Sequence, residues 1–364
     1  HYPLRRQRQM CIRDSVHAAG QAIPRGSGLA VSTMLLVAGI DAGMKFTGQT
    51  RYADERIAEE DKLTGSGRTV FGEWLGGSGG GWQDSGAQWP GIKRCEGVVA
   101  EPGDNEYGIS RGRLLPTYTP MGEDEVGKET LERLMDSMVL VHGGACQDVG
   151  PVLQDVTVAY LLRSRDAWRA RLRSEEISDE QIGNLRRGDI RAVGRLEDED
   201  WDRRIEIVPL ADNAYILEVN RRLREIFGED FWGFDSTGCR GGAGGVYFVN
   251  PARKGEFIQR WYEVSGEVKG ELEKGFPIAV EPTVYDFRVN TQGIVARTLR
   301  GKEAVVPGIE AEEEVVGVVE VPAAVQRIAE ASRASNEAKL RAYQRGEVSL
   351  ENNRTYVAKV EPLK

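Results

Sequence analysis

Three glycine-rich segments hold the residue types best suited to chemistry in this chain: GSGLAVST at 26–33, GGSGGGWQD at 76–84 and GCRGGAGGVYF at 238–248. In the first, a Gly-Ser-Gly turn runs into an apolar stretch. Backbone N–H groups at such a turn, with the positive end of a helix dipole, suit a phosphate chain; they also make an ordinary helix start. The second places Asp84 after a glycine run and two bulky side chains, Trp82 and Gln83. A carboxylate there can be held rigidly facing a cleft, or can simply cap a turn, and GGSGGG alone also reads as a linker. In the third, Gly-Gly-Ala-Gly-Gly enters a β-branched and aromatic strand, which lets backbone approach a ligand or a neighbouring loop. Each cluster by itself also reads as a turn or a close backbone approach. None fits GxxxxGK[ST] and none is GxGxxG before a helix, which disfavours Walker-type and dinucleotide-binding folds. His142 and Cys146 suit a thiol nucleophile, but no third partner to orient them is evident, and a thiol enzyme is disfavoured.

The elements that must position these residues follow from periodicity. Ala30 to Phe46 reads as a buried helix entered through the first glycine turn. Arg51 to Glu73 reads as an exposed charged helical stretch, broken by Gly and Ser at Thr64 to Gly67. Residues 76–81 form the most flexible segment. Strands are expected around Ile92 to Val99 and Met138 to His142, and an amphipathic helix over Asp148 to Arg163. Residues 165–228 read as charged helices broken at Gly183, Gly188 and Pro209. Phe231 to Asp235, Val246 to Asn250, Phe276 to Val280 and Val284 to Val289 read as strands, with a helix from Lys254 to Lys274. This order predicts an α+β sandwich. From Arg300 the chain turns acidic and Val-rich, then polar and helical through Tyr343, with a frayed tail.

Taken together and in order, the three segments resemble the GHMP kinase superfamily, and most of all its sugar-kinase branch, which includes the kinase half of bifunctional fucokinase/fucose-1-phosphate guanylyltransferase and the heptose-phosphate kinases. That branch carries GSGLGTSS, GGGWQDQ and GAGGGGF; here the segments stand as GSGLAVST, GGGWQDS and GGAGGVYF. The resemblance covers roughly Ile23 to Ala296, and GGGWQD is its most specific part. It implies a two-domain α+β GHMP fold, with a ribosomal protein S5 domain 2-like N-terminal part over 16–143 and a ferredoxin-like C-terminal part over 144–300. Residues 301–364 are left as an appendage of unknown role. It further implies ATP-dependent phosphoryl transfer to a hydroxyl of a sugar or sugar phosphate, with Mg²⁺. Gly26, Ser27, Gly28 and Leu29 match the phosphate loop. Ser32 and Glu73 fall where the branch has its metal-binding hydroxyl and carboxylate, a pairing that suits Mg²⁺. Asp84 matches the catalytic aspartate. Gly242, Ala243, Gly244 and Gly245 match the segment that supports the phosphate loop from the second domain.

The sequence also departs from the branch. Ala30-Val31 stands for Gly-Thr, and Ser85 for the Gln after the aspartate. Residues 142–147 read HGGACQ where the branch has Tyr-Thr-Gly-x-Thr-Arg. These departures motivate a non-catalytic ligand-binding module of the same fold as an alternative, and a non-sugar alcohol acceptor is another. A nucleotidyltransferase, fused or separate, is the partner that the resemblance admits.

Composition bounds the rest. With 57 acidic against 48 basic residues the net charge is −9, so no general affinity for nucleic acid or anionic membrane is expected. The most apolar stretch, Leu29 to Ile40, is too short and Gly-rich to span a bilayer, and a soluble, cytoplasmic protein is expected. Cys11, Cys95, Cys146 and Cys239 are too scattered for a disulfide framework. Residues 1–15 resemble translated sequencing-adapter read-through. Without them the net charge becomes −12, because four arginines and one aspartate are lost. On that reading the sugar-contacting opening of the fold lay upstream.

Overall fold

The computed structural model describes residues 16–18, 21–23, 27–49, 57–76, 81–99, 115–144, 149–211, 213–237, 244–272 and 281–296. All lie in the first of two compact units, His1–Arg297. The expected strand at Phe276 to Val280, most of the glycine run at 76–81 and everything from residue 301 fall outside them.

The N-terminal half begins with β1 (Val16–Ala18) paired antiparallel with β2 (Gln21–Ile23). Then α1 (Val31–Phe46) starts where the sequence placed it, and α2 (Glu59–Gly76) packs along it. Val37, Met44 and Val70 are buried. The break expected at Thr64 to Gly67 is corrected: α2 runs through it without interruption. Its glycines serve packing instead. A Cβ on Gly65 would lie 2.5 Å from a carboxylate oxygen of Asp41, and one on Gly72 would lie 2.7 Å from a Leu36 methyl. Close helix approach outweighs the modest cost of Gly in a helix interior. Next come the single turn α3 (Trp82–Ser85), a 3₁₀ turn over 86–88, and the antiparallel pair β3 (Lys93–Glu96) and β4 (Thr117–Pro120).

The rest is a four-stranded antiparallel sheet clad on both faces. After α4 (Lys128–Ser137) comes β5 (Met138–His142), then α5 (Val149–Leu161), α6 (Arg165–Arg187), α7 (Ile190–Ile207) and α8 (Ala214–Phe227). Two strands follow, β6 (Phe231–Ser236) and β7 (Gly244–Val249), then α9 (Lys254–Leu272) and β8 (Thr283–Tyr285). The expected break at Gly183 does not occur. The helix ends at Gly188, whose φ of 72° gives the left-handed stop that glycine tolerates. Strand order is β6-β7-β5-β8, all antiparallel. With its crossovers this is the strand, helix, strand, strand, helix, strand pattern of a ferredoxin-like unit. The sequence-based division at 143/144 falls at the end of β5, whose partners β7 and β8 both come later.

Alternation along the strands explains both faces. Val139, Val141, Tyr247 and Val249 join Tyr215, Leu223, Phe257 and Trp261 in one core under α8 and α9. Phe248 faces the other way, with Leu134, Leu185, Ile190 and Val193 from α4, α6 and α7. There α7 lies almost on the sheet backbone: a Cβ on Gly233 would come within 1.8 Å of the Gly194 carbonyl oxygen. Beyond β8, residues 288–296 run back to the N-terminal half as a strap. Asn290 accepts a 2.7 Å hydrogen bond from the Gly91 N–H through its carbonyl, and the Ala296 carbonyl accepts from Lys45.

Candidate active site

The turn ahead of α1 is built from Ser27, Gly28, Leu29 and Ala30. Gly28 takes a φ of 75° and Ala30, the N-cap, a φ of 53°. Two left-handed residues so close fold the chain back sharply. Ser27 is buried, and its hydroxyl accepts the Leu29 N–H at 3.3 Å. Glycine bears such a φ freely, whereas alanine does so at a cost of roughly 1 kcal/mol. Gly26 lies outside the described residues.

The third glycine segment meets this turn from β7. A Cβ on Gly244 would lie 2.8 Å from the Ser27 carbonyl oxygen and 2.6 Å from the Thr237 hydroxyl, so only glycine leaves room for the turn. Gly245 has a different job, admitting the Phe234 ring. Gly242 and Ala243 fall outside the described residues, as do Cys146 and Gln147. His142 pairs with Gly244 across the sheet; it is fully buried, and its Nδ1 accepts the Gly144 N–H at 3.2 Å.

Glu73 projects from the last turns of α2 to the first turn of α1. It is 3% exposed and accepts a 3.0 Å hydrogen bond from the hydroxyl of Thr33, itself 2% exposed. Ser32, one helical step away, is exposed. A step of about 100° turns adjacent helix residues to different faces, so the hydroxyl held against Glu73 is Thr33's. A carboxylate beside a helix N-terminus is electrostatically favourable.

Asp84 sits half-buried in α3. Burial raises its pKa above the usual aspartate range and the nearby charge of Glu73 raises it further, while a hydrogen bond with the Gly81 backbone acts in the opposite sense. Two carboxylates thus share one partly buried region at the N-terminal end of α1. That donor set suits a hard cation that would also take phosphate oxygens. Among the described residues, no group of three or more His, Cys, Asp or Glu is arranged to hold a metal by protein ligands alone.

The hydroxyls beneath α3 were not singled out from sequence. Ser66 from α2, Ser85 and Tyr118 from β4 form a buried cluster under Asp84, and Tyr118 stacks on Trp89 with ring centroids 4.2 Å apart. The one local signal was Ser85 itself, noted only as a replacement for Gln. Nothing near Tyr118 in the chain announces its contact across 36 residues.

Among the described residues, no helix is long and apolar enough to cross a membrane. No protein-family model matches the sequence, and neither does any curated protein. Solved structures do match. A galactokinase of Lactococcus lactis, solved with galactose, aligns over 74% of this chain and 68% of its own with a TM-score of 0.50 and 11% identity. A mevalonate kinase of L. major, solved with R-mevalonate, aligns over 72% of this chain and 67% of its own with a TM-score of 0.45 and 13% identity. The chain spans about two thirds of the length of either. At 11% identity the galactokinase likeness speaks for the fold alone and leaves the chemistry to the site.

Proposed function

We propose, from the premise that this chain has the two-domain α+β fold of the GHMP kinases, that it transfers the terminal phosphate of ATP to a hydroxyl of a sugar or sugar phosphate, with a fucokinase-like or heptose-kinase-like acceptor. One observation carries the reading: the Ser27–Ala30 turn at the start of α1 meets Gly244 from the other half of the molecule, with Glu73 held against the first turn of the same helix. Phosphate oxygens bind at this turn, where backbone N–H groups and the helix dipole favour negative charge. Glu73, with a first-turn hydroxyl from Ser32 or Thr33, would hold Mg²⁺. When bound, the ion offsets the charge of the phosphates and of the two carboxylates.

Asp84 accepts the proton of the acceptor hydroxyl as the new O–P bond forms and the bond from the γ-phosphorus to the β–γ bridging oxygen breaks, releasing ADP. Its raised pKa brings its basicity nearer to neutral pH. Most of the acceleration comes from holding acceptor, phosphate and carboxylate in line.

A second reading rests on Ala30. A strained alanine at φ 53°, where the branch has glycine, supports a module that binds nucleotide without turnover. One experiment separates the two: ADP release from Mg·ATP across free sugars, sugar phosphates and mevalonate-type acids, with nucleotide binding measured alongside. Sugar-dependent ADP release that disappears in Asp84→Asn supports the kinase. Binding without release supports the module, and release with mevalonate-type acids alone moves the acceptor to a non-sugar alcohol.

A further inference from the structure

An isolated helical turn of four residues has little stability of its own, because nucleation costs more than one or two hydrogen bonds return. Yet α3 is such a turn, entered from a glycine run, and it carries Asp84. Its fixation comes from below. The Tyr118 hydroxyl donates to the Trp82 carbonyl at 2.7 Å, and the Ser85 hydroxyl donates to the same carbonyl at 3.1 Å. The Ser66 hydroxyl donates to Ser85 Oγ at 3.0 Å. Tyr118 Oη lies 3.0 Å from Ser85 Oγ and 3.3 Å from Ser66 Oγ. Both ends of the turn, Trp82 and Ser85, are therefore tied to one buried point supplied by α2 and β4.

The surroundings keep that point fixed. Ser66 and Ser85 are 0% exposed and Tyr118 is 8% exposed. Trp89 stacks on the phenol ring, and a Cβ on Gly86 would lie 2.7 Å from that ring, so the chain just after α3 presses against it. Buried hydroxyl networks are rigid when satisfied and costly when broken. Asp84 lies between the two anchored residues, so its backbone is held and its carboxylate keeps only the rotation about its own side-chain bonds.

We propose that the hydroxyl cluster of Ser66, Ser85 and Tyr118 is the device that holds the Asp84 carboxylate in place for proton acceptance, with Tyr118 as its chief positioning residue. The proposal rests on the kinase reading above and goes beyond it by assigning a role to residues that touch neither substrate nor nucleotide.

The test uses the full chain and two mild variants. Tyr118→Phe removes one hydroxyl and keeps the stacked ring; Ser66→Ala removes the donor to Ser85 and leaves the Trp82 carbonyl accepting from both Tyr118 and Ser85. With the acceptor found by the ADP-release screen, Tyr118→Phe lowers kcat about 10- to 100-fold and leaves KM for ATP within about twofold, and Ser66→Ala has a smaller effect in the same sense. Amide hydrogen exchange over 81–88 quickens in both variants, while exchange in α8 and α9 stays as in wild type. Unchanged kcat in both variants, or unchanged exchange over 81–88, overturns the proposal. A wild-type protein that releases no ADP with any acceptor overturns the kinase reading and the catalytic role together, and the exchange data then decide separately whether the clamp exists.

Discussion

Asp84 is where a single ionisation has the largest expected effect. Burial and Glu73 raise its pKa, so the inactive protonated form persists to higher pH than for an ordinary aspartate. The acid limb of kcat/KM, which reports the free enzyme, is therefore expected above the usual aspartate range; a profile flat down to pH 4 would remove Asp84 from the mechanism. Asp84→Asn should fold normally and lose roughly 10²- to 10⁴-fold in turnover. Ala30 offers the opposite kind of change. Ala30→Gly should relieve the left-handed N-cap, raising stability by up to about 1 kcal/mol and lowering KM for ATP, as denaturation and ADP-release kinetics would report. At this scale the sequence was readable where residues are neighbours in the chain, as in the Ser27–Ala30 turn that opens α1. It was not readable where one helical step decides which hydroxyl faces Glu73, nor where Tyr118 arrives from a distant strand.

The pairing of α1 with α2 holds a second buried acid. Asp41 is fully buried, and desolvation pushes its pKa up to about 7. The folded state therefore keeps a proton that the unfolded chain loses near pH 4. The stabilising contribution is complete below that pH and disappears as pH rises through about 7. Asp41→Asn should flatten this dependence and, near pH 8, stabilise the protein on the order of 2–4 kcal/mol, measured by denaturant unfolding across pH 4–8. Unchanged pH dependence in the variant would clear Asp41 of the effect. Elements with uninterrupted patterns, such as α1, β5, β6 and α9, were legible from periodicity alone. The continuity of α2 was not, because glycines that break isolated helices are here points of contact with Asp41 and Leu36. Neither β4 nor α4 was read from the sequence: β4 is four residues long, and its burial rests on a tertiary contact, Tyr118.

Across the whole molecule, the α+β class could be anticipated from the succession of strands and helices, whereas the place of β5 between β7 and β8 and the closeness of the layers could not. Gly233 and Gly194 bring α7 to the backbone of β6. Gly233→Ala, with its new methyl 1.8 Å from a carbonyl oxygen, should cost about 3 kcal/mol or more and lower the thermal midpoint clearly. A wild-type midpoint would mean that the two layers can part at little cost.

The strap at 288–296 also has a consequence in time. Its bonds join residues some 200 to 250 positions apart, Asn290 to Gly91 and Ala296 to Lys45. Contacts of such long separation are formed late, after local helices and hairpins, because closing a long loop is entropically slow. During synthesis Lys45 and Gly91 emerge long before the strap residues that bond to them. Newly made chains thus pass through an interval in which α1 and the segment after α3 are present but not yet tied down by the strap, and any proteolytic or chaperone surveillance would find its opening there.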